Sequence, residues 1–133
     1  VQELVSHPLD FILLALAGCV GTLLRATSVG LVVRLTGGET LWAAPVATLG
    51  VNLIGSFAFG SIAGLAQSRQ LLTTAQQSIL LVGLLGGFTT YSSFAFQSVE
   101  MLNQGRIVAA AVYVTATTTL ALGAAWAGLR LCS

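Results

Sequence analysis

Gln70–Val99 reads QLLTTAQQSILLVGLLGGFTTYSSFAFQSV, a run of 30 residues without a charged side chain. A bilayer core about 30 Å thick is crossed by about 20 helical residues, so this run is long enough to span a membrane. Three more such runs flank it: Phe11–Leu24, continued beyond Arg25 by Ala26–Val33, then Thr40–Ser68, then Ile107–Leu129. The pattern predicts four helical spans, at about Leu9–Val33, Leu41–Ala66, Ala75–Asn103 and Ile107–Leu131. The connections Arg34–Thr40, Gln67–Thr74 and Gln104–Arg106 are too short for a soluble domain, so residues 1–133 read as one transmembrane bundle.

Composition supports this reading. The chain is 56% hydrophobic and 7% charged, where soluble domains carry about a quarter charged residues. Spanning strands alternate apolar and polar positions, whereas these runs are continuous and rich in Leu, Ala and Gly. The first span is not expected to be a signal peptide, because Val1–Asp10 has Glu3 and Asp10 but no basic residue and the apolar run is too long. Cys19 and Cys132 make no disulfide framework. There is no Lys and no basic cluster, so no nucleic-acid partner is expected.

The third span contains its own punctuation, Gly86–Gly87–Phe88–Thr89–Thr90–Tyr91–Ser92–Ser93–Phe94. Paired glycines followed by Thr and Ser are poor helix formers, which predicts an interruption near Gly86–Thr90. Carbonyls freed at membrane depth must be buried in protein or line a polar cavity, and their partial negative charge suits a small cation. Tyr91 and Phe94 then lie three apart on one face. Aromatic rings are positive at the edge, so two rings edge-on can attract a small anion without trapping it.

Other polar groups sit where hydrocarbon would reject them. Thr48 and Asn52 share a helix face at i, i+4, as do Tyr113 and Thr117 within the fourth span. Arg25 is the strongly basic group inside a predicted span, and intramembrane charge marks function by default. No Asp or Glu occupies the middle of any span, Glu100 lying near the end of the third, and His7 lies outside all four. Buried carboxylates for a proton relay are therefore missing, and no nucleophile has a base beside it, so no enzyme is expected. Small residues at helical spacing, Ala17 and Gly21, Ser56, Gly60 and Gly64, Gly83 and Gly87, favour close packing.

Loop charges bear on orientation. Arg69 and Arg130 fall on one side, Arg34 and Arg106 on the other, with Arg25 adding to the latter if it lies near its helix end. Orientation follows the Lys/Arg excess of short loops. Either this balance misleads, or the chain inserts both ways up and pairs with an inverted copy.

Together these residues resemble the CrcB/Fluc family of bacterial fluoride channels. Beside the third-span motif stand Gly18–x–x–Gly21–Thr22–Leu23–Leu24–Arg25 and Thr48–Leu49–Gly50–Val51–Asn52–Leu53–Ile54–Gly55. The resemblance implies an all-α, antiparallel dual-topology homodimer in the bacterial plasma (inner) membrane, exporting fluoride passively through two pores. It implies that Gly86 and Thr89 carbonyls from both subunits hold a central structural Na+. Tyr91 and Phe94 would hold fluoride by their ring edges, Asn52 would donate to it with Thr48 nearby, and Arg25 would draw anions into the vestibule. Ser92, Ser93, Tyr113 and Thr117 would form a hydroxyl track. Two positions depart from the family pattern: Tyr91 stands where Phe is usual, and Gln97 where Glu is common. A small multidrug exporter would need a Glu in the first span, and Phe11–Leu24 has none. A structural membrane subunit would leave the polar stripes unexplained.

Overall fold

The computed structural model describes residues 8–38, 41–69 and 71–133. Glu3 and His7 lie outside the described residues. All regular structure among those described is helical: α1 (Pro8–Leu35), α2 (Ala43–Arg69), α3 (Thr74–Ser78), a π-helical segment (Ile79–Leu85), α4 (Gly86–Phe88), α5 (Tyr91–Asn103) and α6 (Ile107–Cys132). Four helical stretches are long and apolar enough to cross a membrane, with α3 through α5 forming the third, Thr74–Asn103. α1 runs slightly beyond its expected limits, so Arg34 sits in its last turn, whereas α2 starts two residues later than expected, at Ala43, and ends three later, at residue 69.

Turn chemistry sets the ends. After α1, Gly37 takes φ +86°, and the Gly37 and Gly38 N–H groups return to the Arg34 and Val33 carbonyls. After α5, Gly105 takes φ +73° while Gly105 and Arg106 donate back to Leu102 and Met101. Both are glycine-terminated helix ends that satisfy last-turn carbonyls. Thr73 opens α3 with a reciprocal capping pair to Gln76.

Packing follows the small residues. In lipid, helices associate by close backbone contact, because leaving hydrocarbon for more hydrocarbon gains nothing. α2 and α6 lie along one another, where a Cβ on Gly60 would collide with the Ala125 carbonyl and one on Gly128 with the Phe57 carbonyl. α1 lies on the first half of the third span. There Gly21 meets the Leu84 carbonyl, Gly87 meets Gly18, and Gly83 meets Leu14 and Ala17. The buried apolar cluster Phe94, Met101, Ala110 and Tyr113 joins α5 to α6. Outside it, Leu23, Ile54, Val82, Val108 and Leu122 are exposed, as hydrocarbon-facing side chains are.

The third span is not uniform. The π-helical turns widen the chain over Ile79–Leu85, and the last helical bond of its first half runs from Thr89 N–H to the Leu85 carbonyl, 2.9 Å. Thr89 (ψ 158°) and Thr90 (φ −148°, ψ 113°) are extended, and α5 begins at Tyr91. The non-helical residues are thus the two threonines, whereas Gly86 and Gly87 stay helical. Glycine serves here for contact: α1 approaches Gly87 too closely for any side chain.

Candidate functional site

Two extended residues in a membrane-depth helix release polar groups that must find partners. A continuous helix would carry Thr90 N–H to the Gly86 carbonyl. Instead it donates to Asn52 Oδ1 at 2.8 Å, and Asn52 Nδ2 donates to the Thr90 carbonyl at 3.0 Å. From α1, Arg25 Nη1 donates to the Thr89 carbonyl at 3.2 Å. Thr90 caps the restarting helix, its hydroxyl accepting from Ser93 N–H at 3.2 Å and meeting the Ser92 and Ser93 hydroxyls at 3.3 and 3.1 Å. Asn52 and Arg25 thus both bond to the backbone, and Ser92 and Ser93 meet the cap.

Beyond the cap the aromatics form a chain. Tyr91 and Phe94 have ring centroids 5.5 Å apart at 58°, and Phe94 and Tyr113 are 5.5 Å apart at 53°. These tilted pairs present edges rather than stacked faces. Tyr91 is 79% exposed and Phe94 is buried. Both line an open groove of about 430 Å³ together with Asn52, Thr90, Thr117 and Thr118. Asn52 spends one amide N–H on Thr90, which leaves its second N–H free to donate. Thr117 is buried, and its hydroxyl has no partner among the described residues.

Deeper in the bundle, Tyr113 OH donates to Gln97 Oε1 at 2.7 Å, and Gln97 Nε2 donates to Thr48 Oγ1 at 3.0 Å. Thr48 and Tyr113 are buried, so this relay across α2, α5 and α6 is well desolvated. Gln97 also borders a second groove of about 300 Å³, lined on its polar side by Glu100 and Gln104. Polar groups thus run from that mouth through Gln97 and Tyr113 to Phe94 and the first groove.

Among the expected site residues, Asn52, Tyr91, Phe94 and Thr117 share the first groove, and Thr48 and Tyr113 share the relay. Arg25 does not line that groove and instead meets the Thr89 carbonyl. Gln97 entered the sequence reading only as a departure, and its place at the centre of the relay was missed. Its position three residues beyond Phe94, close to one further helical turn, was the available signal. Ser56 and Thr118 on the groove wall were missed as well, being ordinary helix hydroxyls by sequence.

For a small hard cation the described part of the site offers backbone oxygens. The described residues hold no cluster of three His, Cys, Asp or Glu. The Gly86 carbonyl is released because Thr90 N–H turns to Asn52, and the Thr89 carbonyl keeps a second lone pair beside Arg25. Such carbonyls fit a sodium ion, although a guanidinium on the same oxygen opposes it electrostatically.

Fold and site define a four-span helical membrane protein with an interrupted third span beside a groove of ring edges, an amide and hydroxyls. Residues 12–129 match the family described as CrcB-like protein, Camphor Resistance (CrcB). This chain belongs to that family. It is 35% identical over 119 residues to the "Fluoride-specific ion channel FluC" of Methylobacillus flagellatus, covering 90% of this chain and 91% of that one. The protein of the same name from Allorhizobium ampelinum is 40% identical over 123 residues, 92% and 94% of the two chains. That from Nitratidesulfovibrio vulgaris is 37% identical over 118 residues, 89% and 92%.

Proposed function

We propose that this chain is a fluoride-selective channel that lets the ion leave the cytoplasm down its electrochemical gradient. It is a channel rather than an enzyme, and a multi-pass protein of the bacterial inner membrane, as its four spans and its similarity to fluoride-specific channels support. The observation that carries the reading is the gathering of Asn52, Tyr91, Phe94 and Thr117 on one groove. Fluoride is small and strongly hydrated, so a pore must replace its lost water contacts while excluding larger chloride. Ring edges, an amide N–H and hydroxyls in series supply several weak contacts, as rapid passage requires. Among the described residues no full positive charge lines this groove.

The working unit is an antiparallel dual-topology homodimer with two pores. Support comes from the even loop charges, and from Tyr91, which stands 79% exposed on the open side of the groove where a second copy would complete a wall. A central Na+ would be held by the Gly86 and Thr89 carbonyls of both subunits and would supply fixed positive charge at the crossing. Thr48 and Thr117 continue the path as hydroxyl donors, while Tyr113, whose O–H is spent on Gln97, holds the amide that donates to Thr48. Liposomes containing only this chain test the proposal. Fluoride efflux with at least about 100-fold slower chloride efflux is expected, and efflux that does not discriminate between the two ions refutes it.

A further inference from the structure

We infer that Asn52 and Arg25 are positioning residues, which pin the extended pair Thr89–Thr90 between α1 and α2 and so fix the aim of Tyr91 and Phe94. The inference rests on the channel reading above and assigns these two side chains a duty within it. An unpaired amide at membrane depth is costly, so some group must answer the polar atoms released where the third span stops being helical. Asn52 answers Thr90 twice, accepting its N–H at 2.8 Å and donating to its carbonyl at 3.0 Å. That reciprocal pair is the one a neighbouring strand would make with an extended residue. Arg25 answers the preceding carbonyl from α1, at 3.2 Å.

The lever is short. Thr90 is the N-cap of α5, and Tyr91 and Phe94 are the first and fourth residues of that helix. A rotation of the Thr90 peptide therefore turns both ring edges with no intervening joint. α2 also closes tightly on the pair, since a Cβ on Gly55 would collide with the Thr89 methyl group. Asn52 sits one turn before Gly55 on the same helix, so the α2 backbone carries the clamp with little slack. Because its oxygen and one N–H are spent on Thr90, Asn52 retains a single N–H for an ion. Replacing it then has two consequences, a lost donor and a loosened helix start, and these are separable.

The test combines hydrogen exchange at the Thr90 amide, followed by NMR on the full chain in detergent micelles, with ion release from liposomes. Asn52→Leu removes both bonds and is expected to raise Thr90 exchange roughly tenfold or more through local opening. It should also narrow the gap between fluoride and chloride release rather than merely slow both. Arg25→Met should do the same more weakly, while Arg25→Gln, uncharged but still a donor, should stay within about threefold of wild type in exchange and keep its selectivity. Unchanged Thr90 exchange in Asn52→Leu alongside lost flux would overturn the inference, leaving Asn52 an ion donor only. Equal damage from Arg25→Gln and Arg25→Met would overturn it for Arg25, whose charge alone would then matter. Should Asn52→Leu fail to assemble, Asn52→Ser, which cannot pair both Thr90 groups, takes its place with the same two readings. Wild-type liposomes that release no fluoride would refute the channel reading instead, because exchange at Thr90 reports on the clamp without any ion.

Discussion

Phe94 touches both aromatic neighbours, Tyr91 on the exposed side and Tyr113 within the bundle, each at 5.5 Å between centroids. Its ring therefore links the open groove to the buried relay. An aliphatic side chain of similar bulk has no comparable quadrupole, so Phe94→Ile is expected to lower fluoride efflux at least about tenfold with the protein still folded. Wild-type efflux from Phe94→Ile liposomes would reduce the aromatic pair to packing. Tyr91→Phe keeps the ring edge and should retain most of the conduction. Asn52→Asp is more severe, because it removes the donor to the Thr90 carbonyl and sets a carboxylate beside an anion path. Like charges 4 Å apart repel by about 4 kcal/mol at an effective dielectric of 20, so efflux should vanish into the background leak. At this scale much was legible, since intramembrane Asn, Arg and paired aromatics are conspicuous in a chain that is 7% charged. What could not be read was direction. Helical spacing places Asn52 and Arg25 on faces, but whether they meet an ion or a released carbonyl depends on the path of a different helix.

Elements are joined by backbone contact more than by side chains. Across α2 and α6, Gly60 and Gly128 each leave no room for a methyl group against the facing carbonyls of Ala125 and Phe57. Gly128→Val should push the helices apart at a cost of roughly 1–3 kcal/mol or more. Gly123 lies on the same helix, and a methyl group there would meet nothing within 4 Å, so Gly123→Ala should shift stability by no more than about 0.5 kcal/mol. Thermal unfolding in detergent, followed with size-exclusion profiles, compares the two, and equal effects would remove the close crossing as a source of stability. The small-residue spacing of Gly60 and Gly64 was visible in the sequence, and Gly60 packs against α6 as that spacing invited. The π-helical turns at Ile79–Leu85 were not visible. Ile, Leu, Val and Gly in that order are compatible with either helix, and α1 packs closely on Gly83 within this segment. Similarly, the run Gly86–Thr90 signalled weak helix as a block. In the folded chain Thr89 and Thr90 are its extended residues, and Asn52 and Arg25 from other helices meet their backbone groups.

As a whole molecule, the chain carries similar basic groups at its two ends. Arg106 stacks on Trp42 at 5.2 Å at one end of α6, and Arg130 stacks on Trp126 at 5.8 Å at the other. Arg and Trp both favour the membrane interface, so each end carries a similar anchor. Adding Arg34 to the first end and Arg69 to the second keeps the basic count level. Orientation responds to small excesses of Lys and Arg near span ends, so a balanced chain can be tipped by a few substitutions. Leu71→Lys with Thr74→Lys loads the connection between α2 and α3, at two exposed positions that leave the Thr73 cap intact. Thr36→Lys with Asn103→Lys loads the opposite side, again at exposed positions. If the working unit is a pair of opposed copies, each double variant expressed alone should insert one way and lose most fluoride resistance in cells. Co-expression of the two should restore it, because each then supplies the orientation the other lacks. Substitutions that simply damaged the fold would not be rescued by combining them, so recovery would isolate orientation as the cause. Full resistance from either double variant alone, with a terminal reporter confirming a single orientation, would show that inverted copies are not required. The exposed Tyr91 face would then have to be closed by a parallel partner or by lipid.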